Sequence, residues 1–307
     1  MIHSKAGIVG RTDGIEMKLK DYLKKLKKIE FRMRTRSHEA LAGTYHSAFK
    51  GSGMAFNECK AYEEGDDVRY IDWNASARQN GVFVKQFIEE RELDVCIVLD
   101  LSPSMQFGSV GMTKAEKAIE VMSILAFSAL QNNDKVCLLL FNERGMQYIP
   151  PLRGKANTVR LIVEAMKFSP RDGANHLGKA IEGLMNMLRR RSLVFIVSDF
   201  LSNDYDIQIG HLSHHHEVIP VVVSDPMEIQ MPDMGLTFLE DVRTHEMTLA
   251  DTSQASFVKA YREKAEKTAD NQKRIFDRIG IPHVRIQTQD DILVPIMRAF
   301  EWRSAHV

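Results

Sequence analysis

The chain of 307 residues carries 41 basic and 41 acidic side chains, so its formal net charge at pH 7 is zero. This balance gives no general attraction to nucleic acid or to an anionic membrane and leaves only local charged patches. Because 44% of the residues are hydrophobic, the chain can bury a large core. Its longest apolar stretches, residues 121–130 and 218–223, are too short or too interrupted by serine to cross a membrane.

The first residues and the cysteines both predict a cytoplasmic protein. Residues 1–5 lack the apolar core of a signal peptide. The three cysteines, Cys59, Cys96 and Cys137, have no metal-binding spacing, and the last two lie inside apolar runs. We therefore expect small core residues in a reducing compartment.

A basic amphipathic helix is predicted near the amino terminus. Leucine and tyrosine repeat there at helical spacing, and lysines occupy the remaining faces. The helix could pack on the body of the protein, or it could dock to an acidic partner or make a peripheral contact with a membrane surface. The apolar positions are Leu19, Tyr22, Leu23 and Leu26, and the basic ones are Lys18, Lys20, Lys24, Lys25, Lys27 and Lys28.

The remainder of the first ninety residues predicts an extension ahead of the main domain. Glycines and aromatic residues are interleaved over residues 43–56, which is typical of extended segments and turns. We expect an extension over residues 1–90 and a domain over residues 91–307. An acidic turn near the end of the extension could form an ion-pair network or face a partner, and its charged residues are Asp66, Asp67, Arg69, Asp72 and Arg78.

From about residue 93, apolar runs of strand length alternate with helical segments, which predicts parallel strands with helices on both faces. Right-handed crossovers would wind this order into an α/β Rossmann-type sandwich. A hairpin, residues 236–240 with 247–250, interrupts the alternation. Strands are predicted over residues 94–101, 135–141, 192–198, 217–223 and 283–287, and helices over residues 114–132, 156–167, 177–190, 205–212, 253–279 and 292–302.

The loop after the first of these strands carries the most informative motif. Asp100, Ser102 and Ser104 follow the apolar run of residues 93–99. One carboxylate and two hydroxyls with this spacing can converge on a hard divalent cation through oxygen alone. The motif is typical of an adhesion-type, MIDAS-like metal site, although Asp and Ser after a strand also serve as turn or helix-cap residues.

Two further segments are expected to reach the same place. Asp199 follows the strand of residues 192–198, and strand ends in an open parallel sheet can share a ligand site. Together with a turn-rich loop that contains Asn175, these segments resemble the metal loops of von Willebrand factor A-type domains, whose third loop usually offers threonine. We expect weak binding of Mg²⁺ or Mn²⁺, directly by Asp100, Ser102 and Ser104, with Asn175 and Asp199 completing the site directly or through water.

A longer string of residues carries a narrower resemblance. Residues 61–78, AYEEGDDVRYIDWNASAR, followed by residues 84–92, VKQFIEERE, resemble the signature of the bacterial family called domain of unknown function 58. Members are von Willebrand A-like and often accompany MoxR-type AAA+ ATPases. The resemblance implies such an ATPase as partner, in a chaperone or assembly role. It extends over about residues 40–302 and includes residues 135–141, 150–154 and 196–200.

Three motifs are similar to enzyme sites but lack an essential residue. Gly173 to Lys179 matches the start of a phosphate-binding P-loop, but Ala180 stands where Ser or Thr must bind magnesium. The Asp100 loop is similar to that of haloacid-dehalogenase-type phosphatases, but Ser102 replaces the acid that protonates the leaving group. A histidine cluster could bind zinc, yet it lacks an obvious fourth ligand, so polar loop histidines are expected at His211, His214, His215 and His216.

We therefore predict a non-enzymatic, metal-dependent protein-interaction module. The alternative from another class is a metal-dependent hydrolase at the acidic edge of the sheet, but no histidine, cysteine or lysine is clearly placed as its base or nucleophile. A third possibility is a scaffold whose metal site has decayed, and Asn175 in place of threonine is its best support.

Overall fold

A six-stranded, mostly parallel sheet is the main feature of the fold. The computed structural model describes residues 43–44, 54–79, 81–89, 94–142, 145–168, 177–202, 204–240 and 246–306. The strands of the six-stranded sheet lie in the order β10–β7–β6–β3–β4–β5, in which β5 is antiparallel to β4 and the other pairs are parallel. The strand bounds are β1 (Met54–Ala61), β2 (Phe83–Glu89), β3 (Asp94–Asp100), β4 (Lys135–Asn142), β5 (Gly145–Leu152), β6 (Leu193–Ser198), β7 (Glu217–Ser224), β8 (Leu236–Glu240), β9 (Met247–Asp251) and β10 (Val284–Gln287).

Helices cover both faces of this sheet, as the alternating pattern predicts. In β3, Val95, Ile97 and Leu99 belong to one buried cluster, which includes residues of α2, α3 and α8, whereas Cys96 and Val98 belong to a second one with residues of α4, α5 and α7. The α/β sandwich is thereby confirmed. The helix bounds are α1 (Trp73–Gln79), α2 (Lys114–Gln131), α3 (Lys155–Lys167), α4 (Leu177–Met187), α5 (Asp206–His215), α6 (Pro226–Ile229), α7 (Ala255–Ile279) and α8 (Leu293–His306).

The strand order reverses between β3 and β6. The chain passes from β3 to β4 on one side and later returns to β6 on the other side of β3. In open α/β sheets, such a reversal leaves a crevice outside the carboxyl ends of the two strands. We call this crevice the switch point. Asp100 is the last residue of β3 and Asp199 directly follows β6. The two strand ends are therefore neighbours, as the sequence pattern predicts.

The edge strand β5 was absent from the sequence-based prediction. It contains Pro150 and Pro151, and proline cannot donate a hydrogen bond to a neighbouring strand. These residues are tolerated because β5 lies at the edge of the sheet, where it pairs with β4 alone. The short helix α6 is a second element that the apolar pattern does not indicate.

The N-terminal extension contains an antiparallel pair, β1 and β2, with α1 between them in sequence. Its acidic residues form separate pairs instead of the predicted network. Arg69 contacts Asp67 at 2.6 Å, and Lys60 contacts Asp66 at 2.9 Å. Asp72 accepts two backbone N–H bonds at the start of α1. Asp66 and Asp67 are thus each paired with a basic side chain.

Two expectations for the N-terminal part stay predictions. The basic helix over residues 18–28 lies outside the described residues, and the domain boundary at residue 90 is not tested by the strand and helix bounds. Within the described ranges, no helix combines the length and the apolar character that crossing a bilayer requires.

Candidate metal centre

The Asp100 carboxylate lies at the centre of the candidate site and is completely buried. Its Oδ1 accepts a hydrogen bond from the backbone N–H of Ser102 at 2.9 Å, and its Oδ2 accepts one from the Ser198 hydroxyl at 2.6 Å. Since Ser198 is the last residue of β6, the second bond joins the two strand ends. The carboxylate is therefore held in a fixed position at the switch point.

A tight turn places two hydroxyls beside this carboxylate. Pro103 begins a 3₁₀ turn over Pro103–Gln106, and the backbone N–H of Met105 donates to the Ser102 carbonyl at 3.0 Å. The hydroxyl oxygens of Ser102 and Ser104 are 3.2 Å apart. Ser102 is buried and Ser104 is half-buried. The loop thus carries a buried aspartate, a buried serine and a half-buried serine.

The environment of Asp100 disfavours its ionised form. Burial, together with the negative charge of Asp199, raises the pKa of Asp100 to about 6. The hydrogen bonds from Ser198 and Ser102 favour the carboxylate but do not outweigh these two effects. A cation beside Asp100 would stabilise the charged form. The electrostatics of the site therefore suit the binding of a cation.

Asp199 is paired with a buried lysine. Lys114, the first residue of α2, places Nζ 2.9 Å from Asp199 Oδ2 and 2.5 Å from Glu228 Oε1. The other oxygen of Asp199 accepts the backbone N–H of Leu201 at 3.2 Å. Burial alone would lower the pKa of Lys114, but the charges of Asp199 and Glu228 outweigh it and hold that pKa above its ordinary value. Lys114 is a permanent cation here, and sequence reasoning missed it.

The backbone around Asp199 is supported from α7. The side-chain amide of Gln272 donates to the carbonyls of Asp199 and Phe200 at 3.0 and 3.1 Å, and Arg285 donates to the Gln272 side-chain oxygen at 2.7 Å. Phe200 has a left-handed backbone with φ of 52°, and its ring contacts Phe276 at 5.3 Å between centroids. These contacts hold a strained residue next to the site.

A third carboxylate at this edge, Asp225 after β7, has a structural role. It accepts hydrogen bonds from the backbone and hydroxyl of Ser109, from the backbone N–H of Met227 and from the hydroxyl of Thr288. Burial opposes its charged form, but the bonds from Ser109 and the others lower its pKa. The sequence feature that indicates this structural role is a capping box, which Asp225 and Glu228 form around the first turn of α6.

The donors that are present fit a hard divalent cation. A metal next to Asp100 would be held by carboxylate and hydroxyl oxygens and by water, which suits Mg²⁺ or Mn²⁺. Asn175, the predicted ligand from the third loop, lies outside the described residues. Among the residues that the structure describes, no group of three or more His, Cys, Asp or Glu side chains is arranged to hold a metal. The hydroxyls of Ser102 and Ser104 are therefore essential to the candidate site.

The P-loop-like segment has a packing explanation. Gly178 lies in the first turn of α4, and a Cβ atom there would be 2.0 Å from the Asp204 carbonyl oxygen. Glycine is required because the chain after β6 approaches the helix closely. Lys179 is exposed and Ala180 is buried. The segment therefore meets a steric need of the fold.

The histidine cluster lies at the end of a helix. His211, His214 and His215 are on α5, which extends three residues beyond its predicted end, and His216 follows as the C-cap residue. His216 is buried, unlike the polar loop residue that was predicted, and its Nδ1 accepts the backbone N–H of Ser192 at 3.2 Å. Its ring thus joins α5 to the start of β6.

Proteins with similar sequences are found in mycobacteria. A relative from Mycobacterium bovis, named only as an uncharacterised protein, is 28% identical over 279 residues, which are 89% of this chain and 87% of the relative. Another, from Mycobacterium avium, is 32% identical over 126 residues, which are 40% of this chain and 72% of the relative.

Solved structures with a similar fold are more distant. An aerotolerance-related membrane protein from Bacteroides fragilis is 17% identical, with a TM-score of 0.48 over 70% of this chain and 100% of that one. The Rpn10 VWA domain is 13% identical, with a TM-score of 0.37 over 67% of this chain and 94% of that one. The sheet topology, and not these neighbours, defines the fold. The family model described as protein of unknown function DUF58 matches residues 58–271, and the chain belongs to that family.

Proposed function

We propose that this chain is a non-enzymatic protein-interaction module that binds its partner through a divalent cation. Asp100, Ser102 and Ser104 would bind Mg²⁺ or Mn²⁺ directly, and Asn175 and Asp199 would complete the site directly or through water. A cation with an open position then accepts a carboxylate from the partner. The observation that carries this proposal is the buried Asp100 carboxylate beside the paired hydroxyls at the switch point.

Weak binding follows from the charges around the site. The two hydroxyls carry no charge, and the charge of Asp199 is already countered by Lys114 at 2.9 Å. Mg²⁺ gives up its waters reluctantly, so a site with few formal charges holds it loosely. We expect the metal to exchange freely and the interaction to depend on its concentration.

The same charges argue against a hydrolase. Lys114 stays protonated, because its pKa is raised, so it can act neither as a base nor as a nucleophile. Screens for phosphatase, nuclease and ATPase activity should therefore show only background. Turnover that survives purification and disappears in the Asp100→Asn variant would contradict this view.

We further infer that the partner is a MoxR-type AAA+ ATPase that the chain assists, in the cytoplasm, in a chaperone or assembly role. Membership in the family supports this inference, because the resemblance of the sequence to that family implies such an ATPase as partner. The basic residues 18–28 would add an electrostatic contact whose contribution falls as salt rises.

Capture of a purified MoxR-type ATPase tests the proposal. The wild type should retain the ATPase in Mg²⁺ and release it in a chelator, and Ser102→Ala with Ser104→Ala should not retain it in either buffer. Ser213→Ala, which removes a hydroxyl from α5, is the matched control and should behave as the wild type. Replacing the basic side chains of residues 18–28 by glutamine should weaken capture and its salt dependence without removing its dependence on metal.

Two results would contradict parts of this proposal. Equal capture in Mg²⁺ and in chelator would favour the scaffold with a decayed metal site. If no MoxR-type ATPase is captured in any buffer, the partner is wrong.

A further inference from the structure

Lys114 is an unusual residue at the edge of the proposed metal site. Only 1% of its side chain is exposed, and Nζ contacts both Asp199 and Glu228. Lysine is rarely buried to this degree unless its charge is paired. The pairing partners come from two different segments, the loop after β6 and the helix α6, so two carboxylates converge on a single ammonium group.

We propose that Lys114 is a built-in counter-ion that occupies a cation position formed by Asp199 and Glu228, and that it thereby keeps the affinity of the neighbouring metal site low. This inference rests on the proposed function, since it concerns the metal at Asp100. It adds a residue that determines the strength of metal binding without ligating the metal itself.

The geometry of the carboxylates supports this role. Oxygens of Asp199 and Glu228 lie within 2.9 and 2.5 Å of one point, the Lys114 Nζ. Convergent carboxylate oxygens are the ligands that divalent cations take in proteins. Asp199 is as deeply buried as Lys114, so its charge needs a cation at this place. The ammonium supplies that cation permanently, because it is covalently attached.

Both sides of this ion pair are anchored by the fold itself. Thr113 and Glu116 form a capping box at the start of α2, which fixes the backbone next to Lys114. The second oxygen of Glu228 accepts the backbone N–H of Asp225 at 2.9 Å in the capping box of α6. The position of the ammonium is therefore set by two helix starts.

Replacement of the ammonium tests the proposal. In Lys114→Met, which keeps the apolar stem of the side chain, Asp199 loses its counter-charge. We expect Mn²⁺ affinity, measured by calorimetry, to rise about tenfold, in the range by which outer-shell partners change metal affinity. Mn²⁺ should also raise the melting temperature of this variant far more than that of the wild type. Lys114→Arg keeps the charge and should retain weak binding.

A second substitution in the same background locates the effect. In Lys114→Met with Asp199→Asn, the uncompensated charge is removed, so the gain in Mn²⁺ affinity and the metal-dependent rise in melting temperature should both disappear. If Lys114→Met folds only when Mn²⁺ is present, the proposal is supported in its strongest form. A variant that folds but binds Mn²⁺ no more tightly than the wild type would overturn it.

A milder variant decides the question if Lys114→Met does not fold in any buffer. Glu228 is partly exposed, and Glu228→Gln leaves the ammonium with Asp199 alone, so Mn²⁺ binding should weaken several-fold. Glu217→Gln makes the same charge change at the amino end of β7, on the opposite side of the sheet from the carboxyl strand ends. It should leave the Mn²⁺ affinity unchanged. Unchanged affinity in Glu228→Gln would overturn the proposal. Absence of Mn²⁺ binding in the wild type would instead contradict the proposed function. A gain in Mn²⁺ affinity in Lys114→Met would still support the role of Lys114 as a counter-ion.

Discussion

At the scale of single residues, the carboxylates at the carboxyl edge of the sheet differ in what stabilises them. Asp199 is paired with a full positive charge on Lys114. Asp225 is held by four hydrogen-bond donors, and Asp100 accepts bonds from the uncharged groups of Ser102 and Ser198. Asp225 thus has a structural role and Asp199 forms an ion pair, and Asp100 is the carboxylate for which we propose a metal-binding role.

Removal of the Asp225 carboxylate should destabilise the fold strongly. Asp225→Ala leaves the donors of Ser109, Met227 and Thr288 without their acceptor, so we expect a loss of about 3 kcal/mol in the free energy of unfolding. Urea unfolding measures this change. Asp233→Asn, at an exposed carboxylate, is the control and should change the value by less than about 0.5 kcal/mol. Similar values for the two variants would contradict the structural role of Asp225.

The reason for glycine at position 178 can be tested by adding one methyl group. Gly178→Ala would bring Cβ to 2.0 Å from the Asp204 carbonyl, so the loop must shift and the melting temperature should fall. In Gly210→Ala, Cβ meets nothing within 4 Å on α5, and helix propensity should stabilise the protein by about 0.5–1 kcal/mol. Thermal unfolding of both variants checks the contrast. Equal effects would mean that close packing does not require Gly178.

At the scale of elements, the local sequence pattern predicted those strands whose formation depends on the residues within them. The buried run before Asp100 and the one before Asp199 marked β3 and β6, because strands buried on both faces are continuously apolar. The edge strand β5 was missed, since its prolines disfavour a strand in general and are tolerated only at an edge. Lys114 was missed because its burial depends on carboxylates that are distant in sequence. Such pairing is a property of the tertiary fold.

The junction of α5 with the sheet should make stability depend on pH. Burial lowers the pKa of His216 below 6.5, and the positive charges of His215 and Arg191 lower it further. As the pH falls through 6.5, the unfolded chain binds the proton before the folded protein does, so the free energy of unfolding falls. Above that pH, both states are neutral and this contribution is constant.

A comparison of variants isolates this contribution. Asp100 has the opposite effect in the same range, because its pKa is raised to about 6, and His283 has a lowered pKa like that of His216. We expect His216→Gln to flatten the pH dependence of the free energy of unfolding between about pH 7.5 and 5.5, measured in urea. Ser213→Ala, which changes α5 without removing a titratable group, should keep the wild-type slope. An unchanged slope in His216→Gln would show that this ring does not titrate as proposed.

At the scale of the whole molecule, topology explains why a short motif can form a site. The sheet order places the ends of β3 and β6 side by side, although Asp100 and Ser198 are 98 positions apart. The alternation of strands and helices was sufficient to predict this neighbourhood. The alternation of strands and helices does not fix the geometry of the loop that carries Asn175, which lies outside the described residues.

Calorimetric titration with Mn²⁺ tests the central claim most directly. Asn can still accept the bond from the Ser102 N–H and contact the Ser198 hydroxyl, so Asp100→Asn should keep the fold, as circular dichroism and melting temperature will show. The wild type should bind one ion weakly and saturably, and Asp100→Asn and the double variant Ser102→Ala with Ser104→Ala should show no saturable binding. Equal Mn²⁺ affinity in the wild type and in a folded Asp100→Asn variant would contradict a metal site at the switch point.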